Sequence, residues 1–311
     1  MNVEQLGERK IIAGLSRLLR RDPTVYADLD DDAAVFRPLG KHIIVTTDMG
    51  VLSTHFTSFD PVKMGRKIVA SNVSDVLCKG GLPKYFFLCI GIPAGFSMGF
   101  LKRLYSSMDT ELEKYGCFFL GGDTNKACEF SYSATLLGFS DSRPLKRGNA
   151  RTGDLVYLTG EIGNAALGYF SRKKGVSVPK KFLDAQDAPG IDFALCKRIL
   201  REGKMHSGID VSDGLAFELH EISRLSGKRI VVEWEKLPLD PSFESLCRKL
   251  GIGEKEVALH HGEDYQIVFT GSRNASGISV GRVEEGRGVF LQRNGKLEKI
   301  EGRGYEHFKS N

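Results

Sequence analysis

The chain has 311 residues, 41% hydrophobic and 27% charged, which is enough to bury one large or two medium cores and too apolar for disorder. Its 36 glycines and 10 prolines follow no period, which excludes collagen-like and linker-like chains, and the glycine excess points to many tight turns. With 44 Lys and Arg against 39 Asp and Glu the net charge is +5, too dilute over this length to make nucleic acid or membrane the expected partner.

Helical spacing of Leu6, Ile11, Ile12, Leu15, Leu18 and Leu19 predicts an opening helix that Arg20-Arg21-Asp22-Pro23 stops. An acidic turn, Asp28 to Asp32, leads into the short apolar run Ala33 to Phe36. Gly40 then turns the chain into a β-branched strand, His42 to Thr47, ending on Asp48 and expected to form a hairpin with that run. A second helix is expected from Pro61, with Met64, Ile68, Val69, Val73, Val76 and Leu77 inward and Gly80-Gly81 as its stop. Asp75 is then an acid inside an otherwise apolar helix.

Tyr85 to Ile92 reads as a strand, Leu101 to Tyr115 as a helix, Cys117 to Leu120 as a strand ending in Gly121-Gly122-Asp123-Thr124, and Phe130 to Phe139 as another strand. The polar stretch Ser140 to Gly153 is the expected domain boundary, dividing the chain into 1–146 and 147–311. Beyond it come a strand from Asp154 to Thr159, the turn Gly160 to Gly163, and a helix with a Lys-rich end. Ser207 to Gly214 leads into a helix with Leu215, Leu219, Ile222 and Leu225 inward, capped by Ser212 or Asp213. Strands are expected at Arg229 to Glu233 and Tyr265 to Phe269, and strands and turns fill the tail. Mixed helices and strands without a solenoid repeat make the class α+β.

Six cysteines without a C-x-x-C pair, in a chain large enough to need no staple, read as free thiols of a reducing cytosol. The charged N-terminus holds no apolar signal core, and the most apolar stretch, Tyr85 to Leu101, is interrupted by Pro93, three glycines and Ser97, so neither a signal peptide nor a membrane span is expected.

No Gly-Lys pair is followed by the Ser or Thr of a P-loop, and H-E-x-x-H, G-x-S-x-G and a strand-bound G-x-G-x-x-G are missing, so any phosphate chemistry here is unconventional. What remains is the acids. Asp31, Asp32, Asp48, Asp75, Asp123, Asp210 and Asp213 sit at element ends or glycine turns, often beside a hydroxyl, as in Thr46-Thr47-Asp48 and Ser212-Asp213. Each alone reads as a turn or cap residue. Together they suggest a cation site, because two carboxylates about 4 Å apart repel by roughly 4 kcal/mol at an effective dielectric of about 20. Oxygen ligands of this kind suit Mg²⁺ or Ca²⁺. Gly121-Gly122 and Gly160 to Gly163 let backbone amides approach a phosphate, and Arg147 reads equally as a phosphate contact or a solvated linker charge.

The ordered series Asp31-Asp32-Ala33-Ala34, Thr46-Thr47-Asp48-Met49, His55-Phe56, Asn72-Val-Ser-Asp75, Gly121-Gly-Asp-Thr124, Gly153-Asp154, Gly160, Asp210-Val-Ser-Asp-Gly-Leu215, Gly262-Glu-Asp-Tyr265 and Gly304-Tyr305 resembles the thiamine-monophosphate kinases, of the aminoimidazole ribonucleotide synthetase superfamily, over residues 7 to 308. The resemblance implies ATP-dependent phosphorylation of thiamine monophosphate to thiamine diphosphate with several Mg²⁺ ions, in a cytoplasmic homodimer. It implies an N-terminal ATP- and Mg²⁺-binding domain with a dimerising sheet, and a C-terminal α/β domain completing the active site. By motif, Asp32, Thr46, Thr47, Asp48, Asp75, Asp123, Asp210 and Asp213 are implied metal ligands, with Asp75, Asp123 and Asp210 nearest the chemistry. Gly122, Asp123, Arg147, Ser212 and Tyr105 are implied nucleotide contacts, and His55, Glu263 and Tyr305 the thiamine side. Departures at Asp30, His261, 49–54 and Cys78-Lys79 bear on the acceptor more than on ATP.

Two other readings compete. One is another ATP-using member of the superfamily; the absence of a reactive cysteine at either end argues against a selenophosphate synthetase or a hydrogenase maturation protein. The other is a non-enzymatic nucleic-acid-binding protein, disfavoured because basic residues are scattered rather than interleaved with aromatics.

Overall fold

A computed structural model describes residues 8–26 and 33–305. The chain divides into two compact units, one of residues 1–76 and 81–144, the other of residues 77–80 and 145–311. No helix among the described residues is long and apolar enough to cross a membrane.

The first unit contains α1 (Glu8–Ser16), β1 (His42–Val51), the single turn α2 (Leu52–His55), α3 (Pro61–Cys78, whose last two residues group with the second unit), β2 (Leu82–Ile92), α4 (Met98–Lys114), β3 (Phe118–Lys126) and β4 (Ser131–Ser140). Its sheet has the order β1-β4-β2-β3, antiparallel except for the β2–β3 pair, so β1 and β3 are the edges. The expected hairpin does not form. β1 pairs along its whole length with β4, while the 33–36 run turns back so that the Tyr26 amide donates to the Val35 carbonyl. Pairing partners some ninety residues apart carry no local sequence signal.

Helices α3 and α4 cover one face of this sheet. At Gly138 of β4 a side chain would collide with Val76 of α3, and at Gly65 of α3 one would lie 2.8 Å from the Leu104 carbonyl of α4. Ser97 caps α4 by accepting from the Phe100 amide, and the apolar stripe Leu101, Leu104, Met108 and Leu112 is wholly buried. On the uncovered face, β1 exposes Ile43, Val45 and Met49 in alternation.

The second unit holds β5 (Leu155–Leu158), α5 (Asn164–Lys174), α6 (Lys180–Asp187), α7 (Phe193–Glu202), β6 (Met205–Asp210), α8 (Leu215–Ser226), β7 (Arg229–Glu233), α9 (Phe243–Leu250), β8 (Ile267–Gly271), β9 (Ile278–Glu284), β10 (Gly288–Arg293) and β11 (Lys296–Lys299). Seven strands form one mixed sheet in the order β11-β10-β7-β9-β5-β8-β6, in which only β10 and β7 are parallel. Val156, Leu158, Ile209, Leu215, Leu219, Ile230 and Val268 lie in one large core. The helices α7 and α9 have no counterpart among the predicted elements. Both carry ordinary signals: Asp192 caps α7 by accepting from the Leu195 amide, and Gly203 and Gly251 end α7 and α9 in the left-handed region.

Candidate active site

In the first unit, strand alternation sends Thr46 and Asp48 toward α3, and helical spacing places Ser71, Asn72 and Asp75 on one side of that helix. The Thr46 hydroxyl donates to Asp75 Oδ2 at 2.6 Å. Burial first, and then the charge of Asp75, pushes the Asp48 carboxyl up to about 6, with the Ser71 hydroxyl opposing the rise. Asn72 is fully buried and its Oδ1 accepts no hydrogen bond from the described residues. Thr46, Asp48 and Asp75 therefore form a set of oxygen donors in which burial and a like charge disfavour the ionised form of Asp48, with the Asn72 Oδ1 acceptor one helical turn away.

Thr47 points to the opposite face, where its hydroxyl meets that of Thr135 at 2.9 Å. Asp123 also faces that way: it pairs in register with Cys89, Ser133 and Met49, whereas Asp48 shares its register with Ala134, Leu88 and Gly122. The Asp123 carboxylate is exposed and accepts from the Thr124 amide at 2.7 Å and from Asn125 Nδ2 at 2.8 Å. Asp32 lies outside the described residues.

At the β3 edge, a cavity of about 210 Å³ is lined by Ile12, Leu15 and Leu19 on one side and by Gly121, Gly122 and Asp123 on the other. Gly122 has φ +154°, and a Cβ there would sit 1.8 Å from the Leu88 carbonyl oxygen, so only glycine fits. Tyr105 closes the cavity floor; burial raises its phenol pKa well above the usual value, and the Thr124 hydroxyl is its hydrogen-bond partner. His55 ends α2, where its Nδ1 accepts from the Val51 amide at 3.1 Å, so the neutral ring carries its proton on Nε2. Lys67 Nζ donates to the His55 carbonyl.

In the second unit the site residues are gathered by a strand-to-helix turn. Asp210 ends β6 and is 4% exposed. The following Val211-Ser212-Asp213 segment is laced to two distant stretches: the Glu263 amide donates to the Ser212 carbonyl at 2.9 Å, Tyr265 to Val211 at 2.9 Å, and Tyr305 to Asp213 at 3.0 Å. These bonds bring Ser212, Asp213, Glu263 and Tyr305 around one turn. Neither Ser212 nor Asp213 caps α8, contrary to expectation; Gly214 holds that position without a side-chain bond. Its φ of +131° and the backbone of Leu259 and His260 close by leave no room for a capping side chain.

Glu218 takes over instead. It accepts from the Asp213 amide at 3.2 Å and from the Ser212 hydroxyl at 3.4 Å. Burial first, then the charge of Asp210, pushes its carboxyl up to about 8, while the Asp213 amide and the Arg147 guanidinium pull it down. Arg147 is exposed, on a 3-10 turn (Arg147–Asn149) that packs on the end of α8. Glu218 is a residue that sequence reasoning missed, although its position three after Leu215 and four before Ile222 places an acid on the apolar stripe. Asp264 was missed as well. It is 7% exposed and accepts from the Gly163 amide at 2.7 Å and the Ala165 amide at 3.1 Å, and burial pushes its carboxyl up to about 7. His261 packs against Tyr169 and Phe170, with ring centroids 4.9 and 5.3 Å away.

Residues 30–140 match the AIR synthase related protein, N-terminal domain. A thiamine-monophosphate kinase of Pyrococcus horikoshii is 36% identical over 294 residues, covering 90% of this chain and 91% of the relative. One of Aquifex aeolicus is 30% identical over 325 residues, covering 99% of this chain and all of the relative. Among solved structures, AaThiL complexed with AMPPCP and TMP superposes with a TM-score of 0.77 at 30% identity, covering 99% of both chains. Identity of this order, sustained over nine-tenths or more of both partners and spanning both sets of acids, makes this chain a member of the thiamine-monophosphate kinase family.

Proposed function

We infer that this chain transfers the γ-phosphoryl group of ATP directly to thiamine monophosphate, giving thiamine diphosphate and ADP. The observation that carries the reading is the full-length match to a kinase solved with an ATP analogue and TMP. The attacking group is a phosphate oxygen already ionised near neutral pH, so no strong general base is required. The chain has to position two anionic substrates and relieve their repulsion.

Thr46, Asp48 and Asp75 fit Mg²⁺, being hard oxygen donors around a carboxyl that burial and a like charge hold near neutrality. Bound Mg²⁺ supplies charge neutralisation and a template for the transferring phosphoryl group. We assign Asp123, Asp210 and Asp213 to the same task, with Thr47 and Asp32 carried by motif alone. Gly122 and Tyr105 line the β3 cavity as nucleotide contacts, and Arg147 and Ser212 are assigned the same role by motif alone. Glu263 offers a carboxylate and Tyr305 a half-exposed aromatic face, which suit the cationic thiazolium of the acceptor, with His55 as a further contact.

The exposed Ile43, Val45 and Met49 on an edge strand support a homodimer closed through the first unit's sheet. Six free thiols suit the cytoplasm. A steady-state assay with ATP and thiamine monophosphate tests the reading: formation of thiamine diphosphate is expected, and none at any Mg²⁺ concentration would sink it.

A further inference from the structure

The segment 262–266 is held from two sides. On one side its alternate amides, from Glu263 and Tyr265, donate to the carbonyls of Ser212 and Val211, and Gly262 passes so close that a Cβ would lie 1.8 Å from the Ser212 carbonyl oxygen. On the other side, the Asp264 carboxylate covers the N-terminus of α5, one oxygen accepting from Gly163 and the other from Ala165. The residue at that helix end, Gly163, has no side chain with which to cap it, so the cap comes from 101 residues further along. Gln266 adds a second tie, donating to the Gly190 carbonyl and accepting from the Thr159 hydroxyl.

Between these ties the backbone is strained. Glu263 and Tyr265, immediately before and after Asp264, have φ of +67° and +50°, a region disfavoured for residues with a Cβ. Such conformations persist only where the surroundings over-determine them. The two left-handed residues turn the amides of 263 and 265 toward Ser212 and Val211 while the Asp264 side chain between them reaches the opposite way, into α5.

We propose that Asp264 is a positioning residue for acceptor recognition: by clamping the strained segment to the N-terminus of α5 it holds the Glu263 carboxylate where the acceptor's cationic ring is read. This rests on the reading of Glu263 as an acceptor contact. Asp264 itself faces the helix amides. In Asp264→Asn the side chain keeps its shape, but one of its two acceptor oxygens becomes a donor facing an amide, and the clamp is half lost.

The test measures both substrates and the backbone. In Asp264→Asn the KM for thiamine monophosphate should rise roughly tenfold while the KM for ATP and kcat stay within about threefold. Glu263→Gln should raise the same KM, and in the double variant the effects should fail to add, since both act through one carboxylate. Hydrogen exchange at the Glu263 and Tyr265 amides should quicken in Asp264→Asn. Equal rises in both KM values, additive effects, or unchanged exchange would overturn the proposal. Should Asp264→Asn not fold, Glu263→Gly against Glu263→Ala decides: glycine relieves the left-handed strain and should melt higher, and an alanine variant of equal or greater stability would mean that no strain is held there. A wild type that makes no thiamine diphosphate would overturn the acceptor reading alone, leaving exchange and melting to judge the clamp.

Discussion

The acids of the first unit and those of the second are held in different ways. Thr46, Asp48 and Asp75 project from a regular strand and a regular helix, whose periods decide which way each side chain faces. Ser212, Asp213 and Glu263, just beyond Asp210 at the end of β6, sit on irregular backbone that keeps its shape through bonds to residues 211–213 from two distant loops, with glycines where chains nearly touch. In the first arrangement the residues assigned to the site are side chains on a strand and a helix whose backbone bonding does not depend on them. In the second, the backbone at the site is also the structure, so the same kind of change should be felt by the fold.

Asp75→Asn gives the sharpest contrast. It keeps the shape of a half-buried helical residue and should leave the melting temperature within a few degrees, yet thiamine diphosphate formation should drop by on the order of a thousandfold. A wild-type rate would remove Asp75 from the site. Gly262→Ala in the second unit should do the reverse first: a methyl 1.8 Å from the Ser212 carbonyl forces the two segments apart, at a cost of about 3 kcal/mol of stability read in denaturant melts. Stability close to wild type would mean that the lacing there is looser than drawn.

Glu218 connects the two quantities. Its carboxyl, near 4.5 when unfolded and about 8 when folded, keeps a proton in the native state that the unfolded chain has released. Its contribution therefore favours the fold least at high pH: stability falls as pH rises from about 4.5 to about 8. Glu218→Gln, which cannot ionise, should flatten this slope and be more stable than wild type at pH 8 by on the order of 2 kcal/mol. Parallel pH–stability curves for the two proteins would contradict the buried carboxyl. The smallest effect is expected from Thr46→Val, which removes the 2.6 Å bond to Asp75 and should slow turnover by about tenfold with little change in melting.

The same contrast explains what was legible in the sequence. The strand through Thr46-Thr47-Asp48 and the helical run through Asp75 are local signals, but the motif reading put Thr47 with Thr46 and Asp48, and only the pairing of β1 shows it on the other face. The apolar stripe of α8 even carried a sign of Glu218, an acid between Leu215 and Ile222. Nothing local marks Asp264 as the cap of a helix starting 100 residues earlier, or 33–36 as the partner of Tyr26 rather than of β1. Capping by Ser212 or Asp213 was the expected local solution, and it lost to a tertiary one, the close passage of the 259–260 backbone over Gly214. The motifs singled out Asp210, Ser212, Asp213, Glu263 and Tyr305 in the second unit, but only the fold shows what holds them.

The sheet of the first unit sets a limit on its metal chemistry. Asp48 stands on one edge strand and Asp123 on the other, on opposite faces, with two strands between them. Three inter-strand spacings separate their backbones by roughly 14 Å, whereas Mg²⁺ binds its oxygens at about 2.1 Å. Within one subunit no single ion can be common to both. On the metal-binding roles proposed for them, these acids anchor separate cations, and a substitution at one should leave the other's ion in place.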